Sequence, residues 1–168
     1  MRRRLAYAVF NPDPSVIWAR RLAGNAAVLK ELRGVTHVIS SNPPESAHVG
    51  AMNLAEKLSA RFVMDMRDGW LDEPLRRMLE NPVRRWREGR LEARCVNRAH
   101  SILVTSNAWR SELVGRYAGA APRVHVITNG YPPEPTPPQT FGNDRLRLVH
   151  GGRFEGSDPR RTPRTLLE

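Results

Sequence analysis

The stretch Arg61-Phe62-Val63-Met64-Asp65-Met66-Arg67-Asp68-Gly69-Trp70 decides how this chain folds. It opens with an apolar run, RFVM, and closes in charge, DMRD, ahead of a glycine and a tryptophan. A short apolar run that ends in polar and turn residues reads as a buried strand of a parallel sheet. Ligands of open α/β sheets bind beyond the carboxyl ends of the strands, so Asp65, Arg67 and Asp68 stand where chemistry is done. The same residues also have a purely structural reading, in which Asp65 or Asp68 fixes Arg67 and Trp70 fills core.

Outward from this stretch the pattern alternates. Upstream, VIWARRLAGNAAVLKEL (Val16 to Leu32) places apolar residues at helical spacing, with Gly34 as a C-cap. THVIS (Thr36 to Ser40) is a β-branched strand, and a helix starting at Glu45 or Ser46 runs to Leu58. Downstream, helical patterns cover Leu75 to Leu79 and Val83 to about Ala99, separated by Asn81-Pro82. The longer one is amphipathic, with Trp86, Leu91, Cys95 and Val96 against a ring of Arg and Glu. SILVTS is a strand, Asn107 an N-cap, Ala108 to Tyr117 a helix, and VHVIT a strand running into Asn129-Gly130. Leu5 to Phe10 forms a short strand stopped by NPDPS. Strand and helix alternate throughout, which predicts an α/β, doubly wound, Rossmann-like parallel sheet with right-handed crossovers.

After Gly130 the composition changes. Residues 131–144 hold five of the fourteen prolines and no apolar period, the mark of a linker. Residues 145–168 read as a strand, a Gly-Gly turn and a helix start, the opening of a second α/β domain at which the chain stops.

Composition narrows the function classes. Of 168 residues 40% are apolar, which excludes a disordered chain, and no apolar run is long enough to cross a membrane. A single cysteine, Cys95, excludes an internal disulfide, suits the cytoplasm and reads as a packing residue. The formal charge of +10 is almost all arginine, Lys30 and Lys57 being the only lysines. These arginines spread along the chain, with no zinc-finger or aromatic-interleaved basic motif, so charge alone does not make it a nucleic-acid binder. A basic surface that meets anionic lipid or phosphorylated substrate accounts for them equally well.

Four strand ends line one sheet edge: SSNPPESAH, MRDGW, TSNAW and TNGY. Ser41 and Ser46, with the backbone around Glu45, offer an anion site at a helix start, against the plainer reading that Ser46 caps the helix. His48 has a side chain suited to proton transfer near neutral pH, or to a local hydrogen bond. Asp68 is placed to take a proton from an acceptor hydroxyl, with Arg67 orienting it or holding a phosphate. HGGRF brings backbone NH groups of Gly151 and Gly152, and Arg153, to a diphosphate.

In this order ISSNPPESAH, DMRDGW, LEARCVNRAHSILVTS, VHVITNGY, a Pro-rich linker and LVHGGRF resemble a retaining glycosyltransferase of family 4 with the GT-B fold. The resemblance implies an acceptor-side domain over residues 1–130 and the first strand and turn of a donor domain from Arg145. It places Asp68, Arg67 and His48 at the catalytic centre. Ser41, Pro43, Glu45, Ser46 and Asn129 fall toward the acceptor, and Gly151, Gly152 and Arg153 toward the donor diphosphate. It also implies a nucleotide-sugar donor, a glycan or lipid-linked acceptor in envelope or exopolysaccharide synthesis, no bound metal and no further cofactor. The cytoplasm is the matching location, and the basic helices from Arg76 to Arg98 read either as a peripheral dock at the inner face of the membrane or as a solvated helix face. Two departures stand out: no glycine precedes Gly24, where such enzymes carry a glycine-rich loop, and the family's later donor-binding motifs do not appear. The expectation is therefore a part of a transferase, inactive on its own. The alternative is a non-catalytic module for a phosphorylated ligand or an anionic membrane.

Overall fold

The computed structural model describes residues 10–72 and 81–130. The chain divides into two units, Met1–Asn129 and Gly130–Glu168. The predicted strand at Leu5, the helix at Leu75 to Leu79, the linker and the second-domain elements lie outside the described residues.

The first helix, α1 (Val16–Gly24), buries Val16, Ala19 and Ala23, one apolar row. The single helix expected over residues 16–32 is broken at Asn25, which is extended at φ −85° and ψ 109°. Its side chain accepts from the backbone NH groups of Ala27 and Val28 and starts α2 (Ala26–Glu31). Asn competes for backbone hydrogen bonds, so it prefers such a cap to a helix interior. Gly34, at φ +83°, then turns the chain into β1 (His37–Asn42).

From there α3 (Ser46–Leu58), β2 (Arg61–Met66), α4 (Pro82–Arg98), β3 (Ser101–Val104), α5 (Asn107–Arg116), a 3-10 turn (Ala118–Arg123) and β4 (Val124–Val126) follow. Two caps differ from expectation. Ser106, not Asn107, caps α5 by accepting from Trp109 NH, and Glu45 precedes α3 without a side-chain cap. Asn81 caps α4 through Arg84 NH, with Pro82 in the first turn where its missing NH costs nothing.

The four strands are all parallel and stand in the order β1-β2-β3-β4. This is the Rossmann-like α/β class that the alternation implies. Sequential parallel neighbours joined by right-handed crossovers carry their helices on one face. Burial follows that geometry. Ser40, Asn42, Phe62, Met64, Met66, Ile102, Val104 and Val124 are buried, while Ile39, Ser41, Val63 and Asp65, their alternating neighbours, are more open. Trp70, Cys95, Val96 and Leu113 complete the core.

The apolar face predicted for α4 needs correction. Trp86 is 60% exposed, whereas Glu88 and Glu92 are fully buried beside Cys95 and Val96. Both carboxylates are bonded inside. Glu88 accepts from Trp70 Nε1 (3.0 Å) and Arg84 Nε (2.8 Å). Glu92 accepts from Tyr117 OH (2.7 Å) and Arg116 Nη1 (2.8 Å). Arg116 also pairs with Asp72. Paired and hydrogen-bonded carboxylates tolerate burial, and a hydropathy pattern scores them as surface. Cys95 is fully buried, and burial pushes its thiol up to about 12, which leaves it an inert packing residue.

Helix α1 lies against α3 at Gly50. A Cβ there would stand 3.0 Å from Ala19 Cβ and 3.2 Å from Ala19 O. Gly50→Val therefore forces the two helices apart and costs about 1–3 kcal/mol in urea unfolding. Gly115→Ala in α5 meets nothing within 4 Å and is expected to be neutral or slightly stabilising.

Candidate active site at the β1–β2 edge

The register pairs Ser41 with Asp65 and Asn42 with Met66, so the ends of β1 and β2 reach the carboxyl edge together. Asn42 points inward and is buried. Its Nδ2 donates to the backbone carbonyl of Asp68 (3.0 Å), and its Oδ1 accepts from the backbone NH of Arg67 (3.0 Å). One side-chain amide thus holds both backbone groups that carry the predicted catalytic pair. The Arg67 side chain is 45% exposed and lies 3.8 Å from Asp65, a loose contact that leaves the guanidinium open to solvent. Asp68 is exposed. Asp65 accepts from Ser41 Oγ (2.9 Å) on the open face of the sheet. The structural reading thus describes Asp65 and Trp70, while Arg67 and Asp68 face outward.

The remaining predicted residues divide by depth. Pro43 is exposed at the turn after β1. Glu45, Ser46 and His48 are buried. Ser46 does not offer its NH to a ligand. Asp13 occupies that position, its Oδ2 accepting from Ser46 NH (2.8 Å) and its Oδ1 from Ser46 Oγ (2.8 Å) and Ser15 NH (2.8 Å). The next two amides, of Ala47 and His48, donate to the carbonyls of Pro44 (3.0 Å) and Glu45 (3.1 Å). A carboxylate at a helix N-terminus satisfies both its NH groups and its dipole, so the anion site expected at α3 is filled by the chain itself.

His48 is fully buried behind the turn. Its Nδ1 shares a 2.6 Å hydrogen bond with Ser40 Oγ, and its ring lies 6.1 Å from the Trp70 ring. Burial drops its pKa to about 4, so the imidazole is neutral. It is thus placed to position β1 and α3 rather than to meet a solvent-borne hydroxyl. Asn129 follows β4, two strands from β2, about 10 Å across the sheet, and is not brought to Arg67 and Asp68. Gly151, Gly152 and Arg153 lie outside the described residues.

Sequence reasoning missed Asn42 and Asp13. The sequence pattern places Asn42 in the proline loop after the strand Thr36 to Ser40, whereas the strand runs on to Asn42, and it makes Asp13 part of a proline turn. The only available signal was a residue able to accept and donate at once beside a strand end, and a carboxylate upstream of an uncapped helix. The groups of at least three His, Cys, Asp or Glu that hold a metal ion are absent among the described residues.

Two outcomes follow from this geometry. Asn42→Ala frees the backbone at Arg67 and Asp68, leaves buried groups unpaired and costs about 1–3 kcal/mol in chemical unfolding. For His48, the unfolded chain binds its proton near 6.5 and the folded chain only near 4, so stability rises with pH across this window. Stability is full above pH 6.5 and declines by up to about 3 kcal/mol as pH falls toward 4. Urea titrations at several pH values are expected to show this slope in the wild type and its loss in His48→Asn.

The model of the glycosyl transferase 4-like domain family matches residues 3–130 of the chain. No curated protein and no solved structure matches it. The match spans every described element, including both strand ends of the site. With its parallel sheet and flanking helices, the chain belongs to the glycosyl transferase 4-like domain family.

Proposed function

We propose that this domain is the acceptor half of a retaining GT-B glycosyltransferase, which moves a sugar from a nucleotide-sugar to a glycan or lipid-linked acceptor. The observation that supports it most is the Asn42 clamp, which holds an outward-facing arginine and carboxylate in sequence at a strand end of a glycosyl transferase 4-like domain. In this reading the acceptor oxygen bonds the anomeric carbon on the same face from which the diphosphate oxygen departs, so one bond forms as the other breaks and the configuration is retained. Asp68 receives the hydroxyl proton, and Arg67 meets the charge that develops on the departing side. Ser41 and Pro43 border the acceptor, and His48, Glu45 and Ser46 hold the turn behind it. Asn129 contributes from the β4 end only to an acceptor long enough to cross the intervening strand.

Gly151, Gly152 and Arg153 approach the donor diphosphate in the same proposal, and no cofactor beyond the nucleotide-sugar takes part. The transfer serves envelope or exopolysaccharide synthesis on the cytoplasmic side, where the domain needs a complete donor-binding half to turn over. A binding module for a phosphorylated ligand has less support, since Asp13 fills the helix start such a ligand needs.

The test is release of nucleoside diphosphate from a donor panel by the domain assembled with a complete donor-binding half. Asp68→Asn is expected to lower kcat by about 10²–10⁴, with acceptor KM changed far less. Turnover unchanged by Asp68→Asn and by Arg67→Ala contradicts the assignment.

A further inference from the structure

The arginines of α4 fall into two sets. Arg84 donates to Pro12 O (2.7 Å) and Glu88, and Arg85 to Leu71 O (3.0 Å), so these hold the fold together. Arg87, Arg90 and Arg94 are exposed and, among the described residues, have no carboxylate partner. They recur at helical spacing with Val83 and Trp86, each 60% exposed, so all five share one outward stripe. The Arg90 guanidinium lies 5.1 Å from the centre of the Trp86 ring.

Trp86, Arg87, Arg90 and Arg94 of this stripe line an open groove of about 630 Å³, and α1 contributes Val16 and Arg20 to the groove as well. Among the described residues, no acidic side chain lines it. Four guanidinia without acidic partners, beside an exposed indole and an exposed valine, leave both charge and apolar surface without a match among the described residues. An anionic bilayer supplies both. Its headgroup phosphates meet the arginines, and the acyl boundary receives the valine and indole, which favour that depth. The phosphates of a nucleic acid would satisfy the arginines alone.

We infer that the outward face of α4, with the α1–α4 groove beside it, is a docking surface for an anionic phospholipid bilayer. Val83 and Trp86 enter the interface, and Arg20, Arg87, Arg90 and Arg94 hold lipid phosphates around them. The surface lies apart from Arg67 and Asp68 in sequence and shares no residue with the β1–β2 edge. Docking therefore stands or falls without reference to sugar transfer, since it is read with no donor or acceptor present.

The test is co-sedimentation of the full chain with vesicles of phosphatidylglycerol and phosphatidylcholine, against phosphatidylcholine alone, at low and high salt. Binding is expected only to the anionic vesicles and to weaken with salt. The triple variant Arg87→Glu/Arg90→Glu/Arg94→Glu is expected to lose at least roughly a hundredfold in affinity, each arginine near such a surface contributing about fivefold. Trp86→Ala weakens the binding that survives high salt, and Lys57→Glu, an exposed charge change on α3, leaves it within about twofold. If the triple variant melts lower than the wild type, Arg90→Gln and Arg94→Gln give the same reading singly, at about fivefold each. Failure of the wild type to sediment with anionic vesicles overturns the inference. So does a folded triple variant that binds them as well as the wild type. Tighter binding to duplex DNA, indifferent to Trp86→Ala, assigns the face to a nucleic acid instead.

Discussion

The buried carboxylate of Glu88 ties together parts of the chain that the sheet alone does not. It receives the indole NH of Trp70, two residues past Asp68, and the guanidinium of Arg84 one helical turn before it. Arg84 in turn reaches the carbonyl of Pro12, whose neighbour Asp13 caps α3 through Ser46. The β2 end, α4, the N-terminal turn and the start of α3 are thereby joined in one polar chain beneath the candidate site. Removing one partner of such a buried set leaves an uncompensated charge, at a typical cost of about 3–5 kcal/mol. The edge that presents Arg67 and Asp68 therefore rests on groups several turns away.

This arrangement separates support from contact. Asn42, Asp13, His48 and Glu88 face inward and fix backbone, while Arg67, Asp68, Ser41 and Pro43 face solvent. A site that transfers a group needs its reacting side chains held within a fraction of an ångström, and backbone clamped by a buried amide does this better than a free loop. The neutral imidazole of His48 belongs to the same support. It carries no charge into the core, and its bond to Ser40 sets β1 against α3.

Much of the fold was legible in the sequence because its strands are short apolar runs and its helices have one buried row. The strand read from the apolar run RFVM is β2 (Arg61–Met66), which extends two residues into the charged end, and the α3 boundaries were read to within one position. What was not legible shares one physical cause. Glu88 and Glu92 count as surface in any hydropathy pattern, and Trp86 counts as core, so the face of α4 was read with these reversed. Only the partners Trp70, Tyr117, Arg84 and Arg116, distant in the chain, make the buried carboxylates affordable. At the candidate site, Asp68 and Arg67 could be picked out as charges at a strand end. The residues that hold them could not, since Asn42 and Asp13 act across 26 and 33 positions. Asn25 hid a break in a helix whose apolar spacing continued through it.

The central claim is that the β1–β2 edge is where an acceptor binds. Backbone amide NMR spectra of the domain, recorded during titration with glycan and lipid-linked acceptor analogues, test this most directly. The account predicts shifts that saturate and concentrate at Ser41, Arg67 and Asp68, with smaller ones at the buried amides of Ser46 and His48. Saturable shifts confined to another surface, with Arg67 and Asp68 unmoved, would contradict it.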